Sequence, residues 1–212
     1  MHKKNVKYNM IKTKKLEYME KIIIIIPYIY FIFNNYSSIF ISINTISIFY
    51  FLEMVLDLIF TLFRSLGKMS QNATDWILAI LGTYAAQIVS THASNTHFAP
   101  IAFCFILSFT GILLSLSAKI CLGRSFAIVA AVRIVKTYGP YRIIRHPMYA
   151  GYMLTSIGFV LYNFSLWNIC AISSAWLVQI LRIRAEEKIL STDPQWLLWS
   201  KQVRWKLLPF VY

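Results

Sequence analysis

Acidic residues are scarce in this 212-residue chain: eight Asp and Glu stand against 21 Lys and Arg, giving a formal net charge of +13. Such an excess invites a nucleic-acid reading. The cations, however, are threaded between long apolar blocks, which a nucleic-acid binder does not normally carry. Cysteine is also rare. Cys104, Cys121 and Cys170 are scattered, and no pair has the spacing of a metal or redox motif. They read as packing thiols, and no metal set is predicted. His92 and His97 fall in a short loop and are not read as ligands. No small-x-small cleavage site follows the lysine-rich start, which argues against a secretory signal. There is no internal repeat. Asn35, Asn72 and Asn163 each open an Asn-x-Ser/Thr triplet, read as chance in an Asn- and Ser-rich chain.

What the chain does have is apolar length. Hydrophobic residues make up 58% of it, and mean hydropathy is +0.59, well above a soluble domain. The reading is an all-α, polytopic membrane helix bundle. The cations cluster: seven lysines in the first 21 residues, six cations and no acids from Lys119 to Arg145, and six more from Arg182 to Lys206. These clusters are expected to be cytoplasmic and to face anionic lipid headgroups.

Three regions are expected. Residues 1–38 form a basic and apolar extension; its run Ile22–Phe33, interrupted by Pro27, either crosses the membrane or lies in the interface. Met54 and Met69 are alternative starts. Residues 39–118 hold transmembrane helices: Ile39–Phe63, Trp76–Ser90 and His97–Ala118, with Arg64–Asp75 and Thr91–Thr96 as loops. Glu53 and Asp57 share a helix face and read as a polar seam. Asp75 or Thr74 is expected to cap the second helix. Residues 119–212 comprise a basic connector (119–146) and a helical hairpin (Pro147–Leu161 and Leu166–Leu181). An amphipathic segment, Glu186–Trp199, broken at Asp193-Pro194, follows. Placing 119–146 and 182–212 on one cytoplasmic side gives four or five spans.

The densest chemistry lies at Gly139-Pro140-Tyr141-Arg142-Ile143-Ile144-Arg145-His146-Pro147-Met148-Tyr149-Ala150-Gly151. Arg142, Arg145 and His146 precede a helix start, where free N–H groups favour anions. Pro147 suits the first turn. Gly151 permits close approach of a helix or ligand. One hairpin later, Arg182 and Glu186 share a helix face while Glu187 points elsewhere. Two readings stand. The set forms a pocket for a zwitterionic, ring-bearing ligand, or the arginines snorkel to lipid phosphate and pair with Glu186 and Glu187.

The pattern Gly139-Pro140-Tyr141-Arg142-x-x-Arg145-His146-Pro147-x-Tyr149-x-Gly151, then Arg182-x-x-x-Glu186-Glu187-x-x-Leu190 and Leu207-Leu208-Pro209, resembles the isoprenylcysteine carboxyl methyltransferase family. Phospholipid methyltransferases share this signature, and sterol reductases carry a related one. The similarity covers roughly residues 75–212, includes Leu122-Gly123-Arg124-Ser125-Phe126, and is closest to small bacterial members. It implies an integral-membrane enzyme that uses S-adenosylmethionine in a cytoplasmic pocket at the C-terminal hairpin. By position, Tyr141, His146, Pro147, Met148, Tyr149 and Glu186 would contact the cofactor. Arg133, Ile134, Val135 and Lys136 would line it, through backbone groups. Arg182 would face a substrate carboxylate, and with Glu186 it is the catalytic candidate. Arg145, Gly151 and Glu187 would support.

The implied partners are the lipid bilayer and a lipophilic or lipidated acceptor, with no nucleic acid. The implied location is a bacterial inner membrane, or the endoplasmic reticulum in a eukaryote. A carboxylate acceptor needs no general base; an amine acceptor makes Glu186 or Glu187 a candidate base. Phospholipid N-methylation is the alternative chemistry, and a non-catalytic membrane protein that retains the pocket is the alternative class. Ala130-Ala131 departs from a usual Pro-Ala, and Trp196 and Trp199 stand where tyrosines are usual. These departures are expected to touch packing or substrate access more than cofactor binding.

Overall fold

The structure is a computed structural model and describes residues 2–34, 55–84 and 98–211. It is mostly helical. Helix α1 (His2–Asn34) runs through Pro27 and is much longer than the apolar run it contains. Glu17, Glu20 and Ile24 lie one turn apart and are buried, while Tyr18, Ile22, Ile26, Ile29 and Phe33 are exposed on other faces. The inward stripe of this helix therefore carries two acids, and its exposed stripe from Tyr18 to Phe33 is apolar. Residues 55–63 are helical, and Asp57, Thr61 and Arg64, again one turn apart, are buried. Glu53, the second turn-like loop (Thr91–Thr96) and the end of the Trp76–Ser90 run lie outside the described residues.

Residues 64–75 are more ordered than the polar loop expected from sequence. Strand β1 (Lys68–Met69) pairs antiparallel with β2 (Ala131–Val132), in register Lys68↔Val132 and Met69↔Ala131. The Ser70 N–H donates to the Ala130 carbonyl at 2.9 Å and extends the ladder. Gly67 is required here, since a Cβ would lie 2.6 Å from the Val132 oxygen. Helix α2 (Ala73–Tyr84) starts earlier than expected, because Asn72 Oδ1 accepts the Thr74 N–H at 3.1 Å. Asp75 instead accepts the Ser70 hydroxyl.

Helix α3 (Ile101–Leu122) and helix α4 (Pro147–Tyr162) form the tightest pair. A Cβ on Gly151 would meet the Gly111 oxygen at 2.5 Å and the Ser115 nitrogen at 2.6 Å. Small residues thus let the two backbones approach, the usual device for helix association in lipid. Of the two uses that sequence leaves open for Gly151, the structure shows helix packing.

Ser165 caps helix α5 (Leu166–Leu190) by accepting the Asn168 N–H at 3.1 Å. This helix does not end near Leu181. It continues through the Glu-Glu pair before breaking, and Asp193 then caps helix α6 (Pro194–Gln202). The tail returns beside the His-Pro turn: Arg145 N–H donates to Trp205 O and His146 N–H to Lys206 O, both at 2.8 Å.

Two described helices are long and apolar enough to cross a membrane, Ile101–Ser125 and Leu166–Leu190. Exposed Ile106, Ile120, Leu166, Trp167 and Leu177 line their outer faces. Surfaces of this kind suit a lipid solvent.

Candidate cofactor and acceptor cavities

The His-Pro turn, the connector, α5 and α6 surround an open cavity of about 760 Å³ including its mouth. Of the residues singled out for a cofactor, Arg133, Ile134, Val135, Lys136, Tyr141, His146, Met148, Tyr149 and Glu186 line it; Pro147 does not. Pro147 is the first residue of α4 and is buried, so its contribution is to start the helix. Arg145 also reaches the cavity wall. Sequence reasoning missed Ala130, Ala131, Trp196 and Trp199 as lining residues. These positions face the same space as Glu186. Sequence held a signal for them: both tryptophans follow the Glu-Glu helix across a Pro-started turn that folds back over it.

Adjacent acids on α5 diverge because successive residues on a helix point about 100° apart. Glu187 turns towards the tail. It meets Arg145 Nη1 at 3.2 Å, His146 Nε2 at 3.4 Å and Lys206 Nζ at 2.8 Å. Arg145 also donates to the carbonyls of Val203 and Ser200, each at 2.7 Å. Arg145 is thus a tether for the C-terminal tail, although sequence placed it among the anion-favouring groups. Glu186 turns into the cavity. Tyr149 donates its hydroxyl to Glu186 Oε1, and Arg182 Nε lies 3.6 Å from the same oxygen. Glu186 Oε2 has only His146 Nδ1 nearby, at 3.9 Å. That oxygen faces the cavity without a hydrogen bond from the described residues.

The upper wall is aromatic and cationic. Burial, followed by the Glu186 carboxylate, pushes the Tyr141 phenol well above its ordinary value, so it stays a neutral donor near neutral pH. Burial lowers the Arg133 guanidinium, an effect that Glu17 offsets only in part. Arg133 does more than offer backbone to the cavity. Its guanidinium bonds Glu17 at 2.6 Å and the Ser65 carbonyl at 2.9 Å. The indole N–H of Trp199 is buried and has no partner among the described residues. A buried donor left unpaired is costly, so a ligand acceptor there is favoured.

A second cavity, about 1000 Å³ including its mouth, lies on the other side of Met148, which lines both. Tyr28, Phe126, Ile128, Tyr152, Trp176, Gln179 and Arg182 are among its walls. Arg182 is buried, and its Nη2 donates to the Ile128 carbonyl at 2.7 Å. Lys119 also lines this cavity. It is 1% exposed and pairs with Asp57 at 3.0 Å, while Tyr28 donates to Asp57 at 3.2 Å. Assigning Lys119 to a headgroup-facing cluster was therefore wrong: a charge so deep within the bundle needs a buried partner, and Asp57 supplies it.

Residues 98–192 match the phospholipid methyltransferase family. The matched stretch contains the His-Pro turn, the hairpin, Arg182 and the Glu-Glu pair, and it agrees with the resemblance read from the signature. No curated protein matches the chain. With two helices suited to crossing a membrane, the match supports a membrane methyltransferase. Helix α1, β1 and α2 lie outside the matched stretch, yet they furnish walls or supports for both cavities.

Proposed function

We propose that the protein is a multi-pass membrane enzyme that transfers a methyl group from S-adenosylmethionine to a lipophilic acceptor bearing a carboxylate. The pocket faces the cytoplasm, on the side where the connector and C-terminal tail gather their cations. The observation that carries this reading is the pair of cavities sharing Met148. One sets the aromatic faces of Tyr141, Trp196 and Trp199 beside Glu186, His146 and Lys136. The other sets Phe126, Ile128 and Trp176 beside buried charged groups, Arg182 and the Lys119–Asp57 pair.

The residues of the first cavity fit the cofactor. Glu186 Oε2 is placed to accept from an ammonium group. Tyr141, Trp196 and Trp199 supply flat faces, and the orphaned indole N–H of Trp199 seeks an acceptor. Lys136 favours a carboxylate, while the Arg133 guanidinium is committed to Glu17 and the Ser65 carbonyl. When bound, S-adenosylmethionine supplies an electrophilic methyl group on a sulfonium.

The chain's own contribution is positioning and electrostatics. Arg182, fixed by Ile128 and Glu186, presents its guanidinium to the second cavity and orients an acceptor carboxylate. The carboxylate is already a nucleophile, so no side chain needs to remove a proton. Tyr149 holds Glu186 in place, and the His146–Glu187–Lys206 contacts fix the helix start against the tail. The second cavity admits the acceptor from lipid while the charged donor arrives from water.

Phospholipid N-methylation is favoured by one observation, the family to which residues 98–192 match. There the acceptor amine must lose a proton, and Glu186, 3.6 Å from Arg182 Nε, is the candidate base. Transfer of radiolabelled methyl from the cofactor into membrane lipids separates the two. A base-labile methyl ester is expected, and a methylated amine headgroup would select the second chemistry. No transfer to any lipid class would remove both.

A further inference from the structure

We propose that Glu17 and Glu20 of α1 are positioning residues for the methyl-transfer site, each fixing one end of the segment 128–133 that walls both cavities. Glu20 is fully buried. Its Oε1 accepts the N–H groups of Ile128 at 3.2 Å and Val129 at 2.8 Å, and its Oε2 meets Arg64 Nη2 at 2.5 Å. The carbonyl of the same Ile128 accepts from Arg182 Nη2 at 2.7 Å. One carboxylate thus holds the backbone residue that in turn holds the acceptor-side arginine.

Glu17, one turn earlier, binds Arg133 Nη2 at 2.6 Å and Arg64 Nε at 2.7 Å. Arg133 lines the donor cavity. Arg64 lies between the acids and ties them to each other. The set of two acids and two arginines is neutral and buried, so each charge depends on the others. Where its ends lead distinguishes it from plain packing: Ile128 lines the acceptor cavity and Arg133 the donor cavity. The segment matching the family model begins at residue 98, so α1 supplies what that segment lacks for its own connector.

The inference rests on reading the cavities as donor and acceptor sites, and the test separates the two. Glu20→Ala, Glu20→Gln and Glu17→Ala are compared with the wild-type chain in one detergent. Glu20→Ala is expected to lower kcat about 100-fold with donor KM within about 3-fold, since Arg182 loses its anchor. Glu17→Ala is expected to do the reverse, raising donor KM about 10-fold with a small change in kcat. Glu20→Gln keeps an oxygen for both N–H groups and should recover much of kcat.

Amide hydrogen exchange on the ligand-free protein reads the clamp without activity. In Glu20→Ala the Ile128 and Val129 amides should lose protection on the order of 100-fold beyond the loss at distant amides of the same variant. Equal losses of kcat and KM in both Ala variants, tracking their unfolding temperatures, would overturn the proposal. Unchanged exchange at Ile128 and Val129 would also overturn it. If the wild-type chain transfers no methyl group while these amides respond as stated, the functional reading fails and the clamp stands.

Discussion

Two pairs of acids sit on two helices of this molecule, each within a turn and each facing arginines, and they are used differently. Glu17 and Glu20 have every carboxylate oxygen committed to a guanidinium or a backbone N–H. In the second pair, Glu187 is likewise saturated by Arg145, His146 and Lys206, but Glu186 keeps one oxygen facing a cavity. A saturated buried carboxylate holds structure. A carboxylate left partly open, beside an aromatic and cationic wall, is available to a ligand. The same residue type thus divides into a saturated clamp and a carboxylate open to a cavity, by whether its last oxygen is occupied.

The comparison breaks most severely at the clamp. Glu20→Ala leaves Arg64 with one acid and two backbone N–H groups without an acceptor. A loss of about 3–5 kcal/mol in unfolding free energy is expected, measured by denaturation in a fixed detergent. Glu186→Ala should cost far less stability, yet weaken binding of the donor product S-adenosylhomocysteine by about 2–3 kcal/mol, roughly a 30- to 150-fold rise in Kd. Calorimetry measures it, and normal affinity in the folded variant would remove Glu186 from the site. Gly151→Ala brings a methyl group against the Gly111 carbonyl and should destabilise by about 1–3 kcal/mol, without a selective effect on the donor. Trp199→Phe keeps the ring and removes the unpaired N–H. It should weaken donor binding by about 1 kcal/mol, near 5-fold, and leave stability unchanged or slightly improved.

The geometry of the Glu186–Glu187 half of this comparison was legible in the sequence. Arginines, a histidine and tyrosines beside apolar helices stand out locally, and the four-residue spacing of Arg182 and Glu186 is a statement about one helix. The divergence of Glu187 follows from the same geometry. The clamp was not legible, because Glu20 reaches Val129 and Glu17 reaches Arg133 across more than a hundred residues. Nothing local in an Ile- and Lys-rich extension announces such a pairing.

Strands of two residues are likewise too short to leave a periodic pattern. Lys119 was misread for a different reason. Counting it with neighbouring cations ignored its helical phase, which puts it on the inward stripe of Cys104, Ser108, Gly111 and Ser115. A single cation at the end of a small-residue stripe was the available signal for a buried partner such as Asp57.

The most direct test of the two-cavity account is binding of S-adenosylhomocysteine to the purified chain, followed by methyl transfer from labelled S-adenosylmethionine, for wild type, Glu186→Ala and Arg182→Ala. The account predicts that Glu186→Ala loses binding, while Arg182→Ala binds the donor product normally and loses transfer. Equal loss of binding in both variants would place the two residues in one site and contradict the division between donor and acceptor cavities.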